Sequence, residues 1–171
     1  MPCTLRPAML DDAEAITAIY NDAIANTTAI MWHQPKPDLY WRDRLADRPA
    51  KFPALVAVSD EARGNPGSGR VIGFTTLGPY DDLCGYCDAA EWSLYVEAAC
   101  RGQGVGKALA LAVIDAGRVA GLHSIISRVT AGNDASARLQ ASLGFRHVGT
   151  FENLGDKFGQ RHDVLVYQLV L

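Results

Sequence analysis

The feature that most constrains this chain is a glycine-rich loop between a strand pattern and a long apolar helix pattern. The loop reads Arg-Gly-Gln-Gly-Val-Gly-Lys at residues 101–107, after the strand-like run at 89–96. Glycine allows positive φ and lets a ligand approach the main chain closely, and a helix N-terminus offers unpaired N–H groups with a partial positive charge. With the charges of Arg101 and Lys107 beside it, the loop predicts a site for a phosphate-bearing ligand, and a pyrophosphate fits this prediction best.

Two nucleotide-binding motifs do not fit this loop. A Walker A loop has four residues between its glycines and Ser or Thr after its lysine, whereas Ala108 follows Lys107 here. A dinucleotide fingerprint needs G-x-G-x-x-G and an acidic residue about 20 positions later. Here the spacing is G-x-G-x-G, and residues 124–130 contain no acidic side chain. An ordinary turn at a helix entry would also explain the glycines, so the loop alone does not identify a ligand.

Length and composition narrow the class of protein. The chain has 171 residues, of which 49% are hydrophobic and 20% charged, so we expect one globular domain over residues 1–171 with a sizeable core. The formal net charge of −3 argues against nucleic-acid binding through bulk positive charge. No apolar run approaches the roughly 20 residues that cross a bilayer, and the N-terminus shows no secretion signal. We therefore expect a cytoplasmic protein without nucleic-acid or membrane partners.

Apolar periodicity and turn residues predict the element order β-α-α-β-β-β-α-β-α-β-β. The fourth strand, the glycine loop, a helix and the fifth strand predict a right-handed crossover, so these two strands should be parallel. A mixed α/β sheet with helices on both faces follows. The predicted helices span residues 11–25, 38–46, 105–120 and 135–142, the predicted strands span 4–7, 52–58, 71–77, 89–96, 124–129, 146–151 and 164–170, and the polar stretches 60–70 and 155–163 are predicted loops.

Glu91 is the main candidate for chemistry in the fourth strand. In an extended strand it shares one face with Ser93 and Tyr95, where a carboxylate can serve as a general base. An exposed strand carboxylate paired with a lysine or arginine explains the residue equally well. Asn133 is expected to cap the next helix, and its position one strand after the glycine loop also lets it face the same ligand.

The four cysteines include a C-x-x-C pair, Cys84 and Cys87, whose spacing could serve zinc or redox chemistry. A structural zinc site needs four ligands, and the chain has no second C-x-x-C or H-x-x-x-H pair. We therefore interpret the pair as two thiols in a loop and expect no metal. Stoichiometric zinc in the purified protein would identify the metal alternative.

Three motifs together resemble the pattern of the GNAT superfamily of N-acetyltransferases, in order and in spacing. They are Arg-x-x-Gly-x-Gly at residues 101–106, Asn-x-x-Ser-x-x-Leu at 133–139 and Leu-Gly-Phe at 143–145. Within that superfamily, stretches at residues 19–29, 91–96 and 157–164 resemble the phosphinothricin and methionine-sulfone acetyltransferase group. The resemblance covers nearly the whole chain, and the full set of motifs is far more specific than the glycine loop alone.

The resemblance implies a GNAT-type α/β fold with a mixed, largely antiparallel central sheet, split between its parallel fourth and fifth strands. It implies direct transfer of an acetyl group from acetyl-CoA to the primary amine of a small, amino-acid-like or phosphinothricin-like molecule, without a metal. Glu91 matches the carboxylate that deprotonates the incoming ammonium through water, because an amine with a pKa near 10 is mostly protonated at neutral pH. Relatives of this kind also imply a homodimer.

The resemblance further implies contacts to the two ligands. The loop would bind the pyrophosphate, the pantetheine would run along the fourth strand, and Asn133 would lie near the CoA arm. Main-chain N–H groups of that strand would be left unpaired where it leaves the fifth. The implied acetyl-CoA contacts are Leu94, Tyr95, Val96, Arg101, Gly102, Gln103, Gly104, Val105, Gly106, Lys107, Asn133 and Ser136. The implied acceptor contacts are Thr28, Thr76, Tyr80 and Asp81.

Two departures from the family pattern bear on mechanism and substrate. Gln140 stands where relatives carry Tyr or His, and glutamine cannot protonate a leaving thiolate. Tyr80 and Asp81 stand where relatives tend to show Trp and Arg; arginine would suit a carboxylate-bearing acceptor, whereas Asp81 would repel one. The sequence therefore indicates amine acetylation without identifying the amine. A CoA-binding sensor domain without turnover is the alternative, and such a domain need not keep a base at position 91.

Overall fold

A computed structural model describes residues 3–59 and 69–171, and a seven-stranded sheet runs through these two ranges. The order across the sheet is β1-β2-β3-β4-β5-β7-β6. Among the described strands, β4 and β5 are the one parallel pair of neighbours, which confirms the predicted crossover. The strands are β1 Cys3–Pro7, β2 Ala54–Ser59, β3 Val71–Pro79, β4 Ala89–Val96, β5 Ser124–Thr130, β6 Arg146–Lys157 and β7 Gln160–Val170.

Helices cover both faces of the sheet, as predicted. On β2, Val56 packs under the first two helices, whereas its neighbour Ala57 packs against the third, because successive residues of a strand point to opposite faces. Within the described ranges, none of these helices has the length and apolar character needed to cross a membrane. The helices are α1 Ala13–Asn26, α2 Leu39–Ala46, α3 Val105–Val119 and α4 Asp134–Ser142.

Helix α3 lies close against the sheet, because Gly117 lets it approach β3. A Cβ added at Gly117 would lie 2.9 Å from Cδ1 of Leu77. The helix ends at Val119, and Gly121, two residues later, has a φ of 78°, the left-handed conformation expected after a helix. A helix that is apolar nearly all round is expected to be buried on most sides, but Leu111 and Val119 of α3 are 48% and 90% exposed. The helix therefore rests on the sheet with one face in solvent.

The prediction of a loop at residues 155–163 is wrong, because β6 and β7 continue through most of it as a hairpin. The turn itself is Phe158-Gly159, with φ of 53° and 74°, and two successive positive φ values suit the tight turn of a hairpin. Asp163 accepts a hydrogen bond from the main-chain N–H of Asn153 at 2.8 Å. Most polar side chains in this stretch belong to a solvated outer hairpin, whereas Lys157 is buried. The other predicted loop, at residues 60–70, lies mostly outside the described residues.

Candidate functional site

The sheet opens between β4 and β5 immediately after Glu91. Their pairing covers only Ala89–Glu91 with Ser124–Ile126, and beyond it the strands separate. A cleft of about 410 Å³ lies in the gap, lined by β4 from residue 92 to 96 and by β5 from residue 127 to 130. The predicted split between the two strands is therefore present, and Glu91 lies at its apex.

The main-chain groups of β4 point alternately to β3 and into the cleft. The N–H of Glu97 donates to the carbonyl of Ile72 at 2.9 Å, and the orientation alternates along an antiparallel pair. Tyr95 therefore directs its main-chain groups toward β3, whereas Leu94 and Val96 direct theirs to the side from which β5 has departed. Of these three predicted residues, Leu94 and Val96 offer main-chain N–H donors to a ligand in the cleft.

The glycine loop forms one end of the same cleft. Gly102 and Gly104 have φ of 73° and 85°, which glycine adopts without strain, and Gly104 is the N-cap of α3. A Cβ added at either position would meet no atom within 4 Å, so the space in front of the loop is open. Because open N–H groups of a helix start suit an anion, this corner could hold the pyrophosphate of acetyl-CoA.

Two of the predicted acetyl-CoA contacts lie outside the wall of the cleft. The side chain of Gln103 donates to the carbonyl of Ala99 at 3.0 Å, and Val105 is 2% exposed within the core beneath α3. Arg101 is held in place because its Nε donates to the carbonyl of Val96 at 3.0 Å. The predicted contacts that do line the cleft are Leu94, Tyr95, Val96, Arg101, Gly102, Gly104, Gly106, Lys107, Asn133 and Ser136.

Helix α4 contributes two amide side chains to the cleft. Asn133 caps the helix as predicted, since its side chain accepts from the N–H of Ser136 at 3.2 Å. Gln140 is 2% exposed, and its Nε2 donates to Oγ of Ser127 at 2.6 Å. Its Oε1 has no partner among the described residues. A buried acceptor of this kind needs a donor, and a donor group of a bound ligand could supply it.

Glu91 and Arg128 form an ion pair, which is the second of the two interpretations considered for Glu91. Oε1 of Glu91 accepts a hydrogen bond from Nε of Arg128 at 2.6 Å, and Nη2 of Arg128 lies 2.5 Å from the same oxygen. Oε2 accepts no hydrogen bond from residues 3–59 or 69–171 and stays open to another donor. Arg128 is a site residue that was not predicted from the sequence, although it is the single charged residue in β5.

A second cavity, of about 430 Å³, adjoins the cleft at Arg128, and Glu91 lies in its wall. Its walls are largely apolar, with Met31 and Trp32 on one side and Leu154 on the other. The loop carrying Met31 is fixed to the hairpin because Nζ of the buried Lys157 donates to the carbonyl of Ile30 at 2.6 Å. This cavity is therefore a built pocket that adjoins the cleft and has the carboxylate of Glu91 in its wall.

Ser93 and Tyr95 belong to the walls of both the cleft and this second cavity. Burial raises the pKa of Tyr95 above its usual value, and the nearby phenol of Tyr20 adds to the effect. The Tyr95 hydroxyl therefore stays protonated at neutral pH. It is a hydrogen-bond donor, and not an anion, where the two spaces meet.

The predicted acceptor contacts do not come together. Thr76 lines a third, small cavity beside Glu91, whereas the other three line none of these three cavities of the described residues. The carbonyl of Thr28 accepts from Oγ1 of Thr130 at 2.6 Å. Tyr80 packs edge-on against a neighbouring tyrosine, and Asp81 accepts from the N–H of Leu83 at 2.9 Å.

The C-x-x-C pair lies in an exposed turn away from the cleft. Cys84 and Cys87 are free, solvent-exposed thiols, and Sγ of Cys87 lies 3.4 Å from Oδ1 of Asp88. No group of three or more His, Cys, Asp or Glu within the described ranges is arranged to hold a metal ion.

Comparison with known proteins agrees with this geometry. Residues 16–145 match the acetyltransferase (GNAT) family. An L-methionine sulfoximine/L-methionine sulfone acetyltransferase from Pseudomonas aeruginosa is 38% identical over 173 residues, covering 100% of this chain and 96% of the relative. A phosphinothricin N-acetyltransferase from Streptomyces coelicolor is 32% identical over 164 residues, covering 96% of this chain and 94% of the relative.

A solved structure shares the same architecture. A GNAT superfamily phosphinothricin acetyltransferase from Sinorhizobium meliloti, in complex with AcCoA, has a TM-score of 0.92 with this protein at 27% identity. The similarity covers 100% of this chain and 89% of that one. The motifs, the split sheet and these relatives agree, and the chain belongs to the GNAT family of acetyltransferases.

Proposed function

We propose that this protein transfers the acetyl group of acetyl-CoA to the primary amine of a small, amino-acid-like molecule. One observation carries the proposal: the cleft and the second cavity share Ser93, Tyr95 and Arg128, and Glu91, where β4 and β5 stop pairing, lies in the wall of the second cavity. A thioester held in the cleft and an amine held in the cavity would therefore meet beside a carboxylate. The names of the relatives, which act on methionine sulfone and phosphinothricin, support an amino-acid-like acceptor.

The residues of the cleft fit acetyl-CoA, which supplies an acetyl group already activated as a thioester. The loop at residues 102–107 and the start of α3 would bind the pyrophosphate, with Arg101 and Lys107 adding positive charge. The N–H groups of Leu94 and Val96 would bind carbonyl groups along β4. Donors aimed at the reacting carbonyl stabilise the negative charge that develops on its oxygen, which is a large term in acyl transfer.

Glu91 would remove the proton from the incoming ammonium, directly or through a water molecule. An aliphatic amine with a pKa of about 10 is mostly protonated at neutral pH, so its lone pair must be released before attack. Oε2 of Glu91 is open for this task, while Arg128 fixes the carboxylate through Oε1. Arg128 is thus a positioning residue, and Glu91 is the catalytic one.

The departure of the thiolate needs no acid from Gln140. A thiol with a pKa of about 8.5 is a tolerable leaving group, so protonation can follow the bond cleavage. Gln140 would instead line the cleft beside Ser127 and use its unpaired amide oxygen to accept a hydrogen bond from the bound cosubstrate. This assignment explains how the chain can dispense with the Tyr or His of its relatives.

The proposal also covers the domain organisation, the oligomeric state and the cellular location of the protein. We propose a single N-acetyltransferase domain over residues 1–171, acting in the cytoplasm as a homodimer. The outer hairpin supports a dimer, because Val148, Phe151, Leu154 and Phe158 are 49–60% exposed on or beside the edge strand β6, and exposed apolar patches mark contact surfaces. Sedimentation equilibrium should give twice the mass of the chain, and a monomer at micromolar concentration would contradict the dimer.

The proposed function is tested by measuring thiol release from acetyl-CoA across a panel of small primary amines, with mass spectrometry of the products. We expect turnover with at least one amino-acid-like amine and an N-acetylated product. The Glu91→Gln variant should bind CoA with unchanged affinity. Tight CoA binding without turnover for any amine would favour the sensor alternative over the enzyme.

A further inference from the structure

A small cavity of about 150 Å³ lies on the α2 side of Glu91, and we name it the cationic pocket. Its walls include Arg44 and Arg48 from the end of α2 and the segment after it, and Ser93 and Glu91 from β4. Neither the cleft nor the second cavity includes the two arginines. The carboxylate of Glu91 therefore has an apolar cavity on one side and a positively charged one on the other.

The two arginines of the cationic pocket have no acidic partner. Neither guanidinium lies within ion-pair distance of a carboxylate in the described part of the chain. Arg48 is anchored instead by main-chain carbonyls, with Nε donating to Phe52 at 2.6 Å and Nη2 to Leu77. Burial lowers the pKa of Arg48 to about 10, and the neighbouring charge of Arg44 contributes. The pocket therefore holds two guanidinium groups that form no ion pair with the described residues, although Arg44 is solvent-exposed and lies 5.1 Å from the ring centroid of Tyr40.

Neutral donors add to this charge. Trp41 also lines the cationic pocket, is 5% exposed, and its Nε1 has no acceptor among the described residues. The hydroxyl groups of Thr76 and Ser93 belong to the same wall. Leaving a buried donor unsatisfied is unfavourable, and guanidinium groups match the planar geometry of oxyanions. Among small ligand groups, a carboxylate or a similar oxyanion satisfies both features at once.

We propose that the cationic pocket binds the anionic group of the acceptor while Glu91 receives its ammonium. This inference rests on the proposed function and narrows it to zwitterionic amines, such as α-amino acids. At about 150 Å³ the pocket has room for an anionic head group, since one water molecule occupies about 30 Å³ in the liquid. The rest of the acceptor would extend into the apolar cavity beside Trp32.

The cationic pocket also changes the expectation drawn from Asp81. From its position in the sequence, this residue is expected to repel a carboxylate-bearing acceptor. Asp81 lies outside the pocket, and its Oδ1 accepts a hydrogen bond from the main-chain N–H of Leu83. Positive charge near the end of β3 comes in this chain from Arg44 and Arg48, which line the pocket together with Gly78 and Pro79. A carboxylate-bearing acceptor is therefore compatible with this chain.

The test compares L-methionine sulfone with its primary amide, which keeps the amine and the side chain but lacks the negative charge. We expect wild-type kcat/KM to be at least tenfold higher for the acid. Arg44→Gln should reduce that preference at least tenfold, mainly by raising KM for the acid. Trp41→Phe keeps the aromatic packing, removes the N–H donor, and should reduce the preference severalfold. Arg48 is left unchanged because it anchors main-chain carbonyls.

Arg42→Gln is the matched control, because Arg42 lies on the same helix, is exposed, and does not line the cationic pocket. It should leave the acid-to-amide preference unchanged, and comparing preferences between variants cancels the intrinsic reactivity difference of the two amines. The proposal is overturned if wild type prefers the amide, or if Arg44→Gln and Trp41→Phe both keep the wild-type preference. Failure of wild type to acetylate either compound or any other amine would instead defeat the enzyme assignment itself.

Discussion

Glu91 and Arg128 are joined across the point where β4 and β5 stop pairing, with Nε of the arginine 2.6 Å from Oε1 of the carboxylate. The ion pair therefore lies at the apex of the split sheet, beside the cleft, the second cavity and the cationic pocket. It holds one carboxylate oxygen and leaves the other open. Three spaces of different character, the cleft, the apolar cavity and the cationic pocket, meet at or beside this one pair.

Removing Arg128 should impair catalysis more than stability. Arg128→Gln should lower kcat roughly tenfold or more, because the base loses its fixed position. The loss of unfolding free energy should stay at or below about 1 kcal/mol, as expected for an exposed ion pair. Arg128→Lys should restore part of kcat. These values come from steady-state kinetics and from denaturant unfolding.

A matched control for this prediction is Arg118→Gln, which breaks an exposed ion pair with Asp115 at the far end of α3. It should leave kcat unchanged. In a double-mutant cycle, Glu91→Gln and Arg128→Gln should be non-additive in kcat, because the arginine acts through the carboxylate. If the effects of the two substitutions on kcat are fully additive, or if the Arg128→Gln enzyme has the wild-type kcat, Arg128 does not position Glu91.

Replacing Gly104 by alanine should weaken both stability and acetyl-CoA binding. Its φ of 85° is strained for alanine, which costs about 1 kcal/mol, and a shift of the loop would misdirect the N–H groups of α3. We expect KM for acetyl-CoA to rise at least tenfold, measured beside thermal unfolding. Gly121→Ala introduces the same strain at φ of 78°, away from the cleft. If both variants raise KM equally, the loop has no special role in binding.

Gln140 should contribute to stability through Ser127. Gln140→Leu leaves the Ser127 hydroxyl buried without its partner, so unfolding free energy should fall by about 1–3 kcal/mol. Adding Ser127→Ala to this variant should recover part of the loss, because both ends of the hydrogen bond are then gone. Urea unfolding of the two single variants and the double variant measures the coupling. A double variant as unstable as the sum of the singles would argue against the interaction.

Acid should destabilise the fold through Asp12. Burial alone would raise the pKa of this carboxyl, but the Arg6 guanidinium and the Met9 N–H outweigh it, so the pKa lies below its usual value. Because the folded pKa is lowered, the stabilisation is complete above the unfolded pKa of about 3.9 and is lost as pH falls through the folded value.

The Asp12→Asn variant tests this dependence. It should be less stable than wild type at pH 7, and the difference between the two proteins should shrink as pH is lowered below about 4. Unfolding free energies measured between pH 2 and pH 7 give this difference directly. A gap between the two proteins that stays constant down to pH 2 would show that protonation of Asp12 is not its cause.

Local signals explain what could be predicted from the sequence. The glycines at 102 and 104, the helix after them and the cap at Asn133 depend on a few neighbouring residues, so the cleft and most of its wall followed from spacing and resemblance. The outer hairpin was missed because a two-residue turn, Phe158-Gly159, lies within a polar stretch that lacks core side chains.

Contacts between distant parts of the chain could not be predicted in this way. Glu91 and Arg128 are 37 positions apart, and their meeting depends on where two parallel strands diverge. The cationic pocket combines residues of α1, α2, β3 and β4, four elements that only tertiary packing brings together. No periodicity in the sequence marks either arrangement.

The proposed mechanism depends on Glu91 accepting a proton from the ammonium group of the acceptor. The most direct measurement is the rate of acetyl transfer to a small primary amine by wild type and Glu91→Gln between pH 7 and pH 10, at saturating acetyl-CoA. We expect the variant to be slower by a factor on the order of 10² at pH 7. This deficit should shrink as pH approaches the pKa of the amine, because more of the amine is then already deprotonated in solution. Equal rates at pH 7, or a deficit that stays constant up to pH 10, would contradict this mechanism.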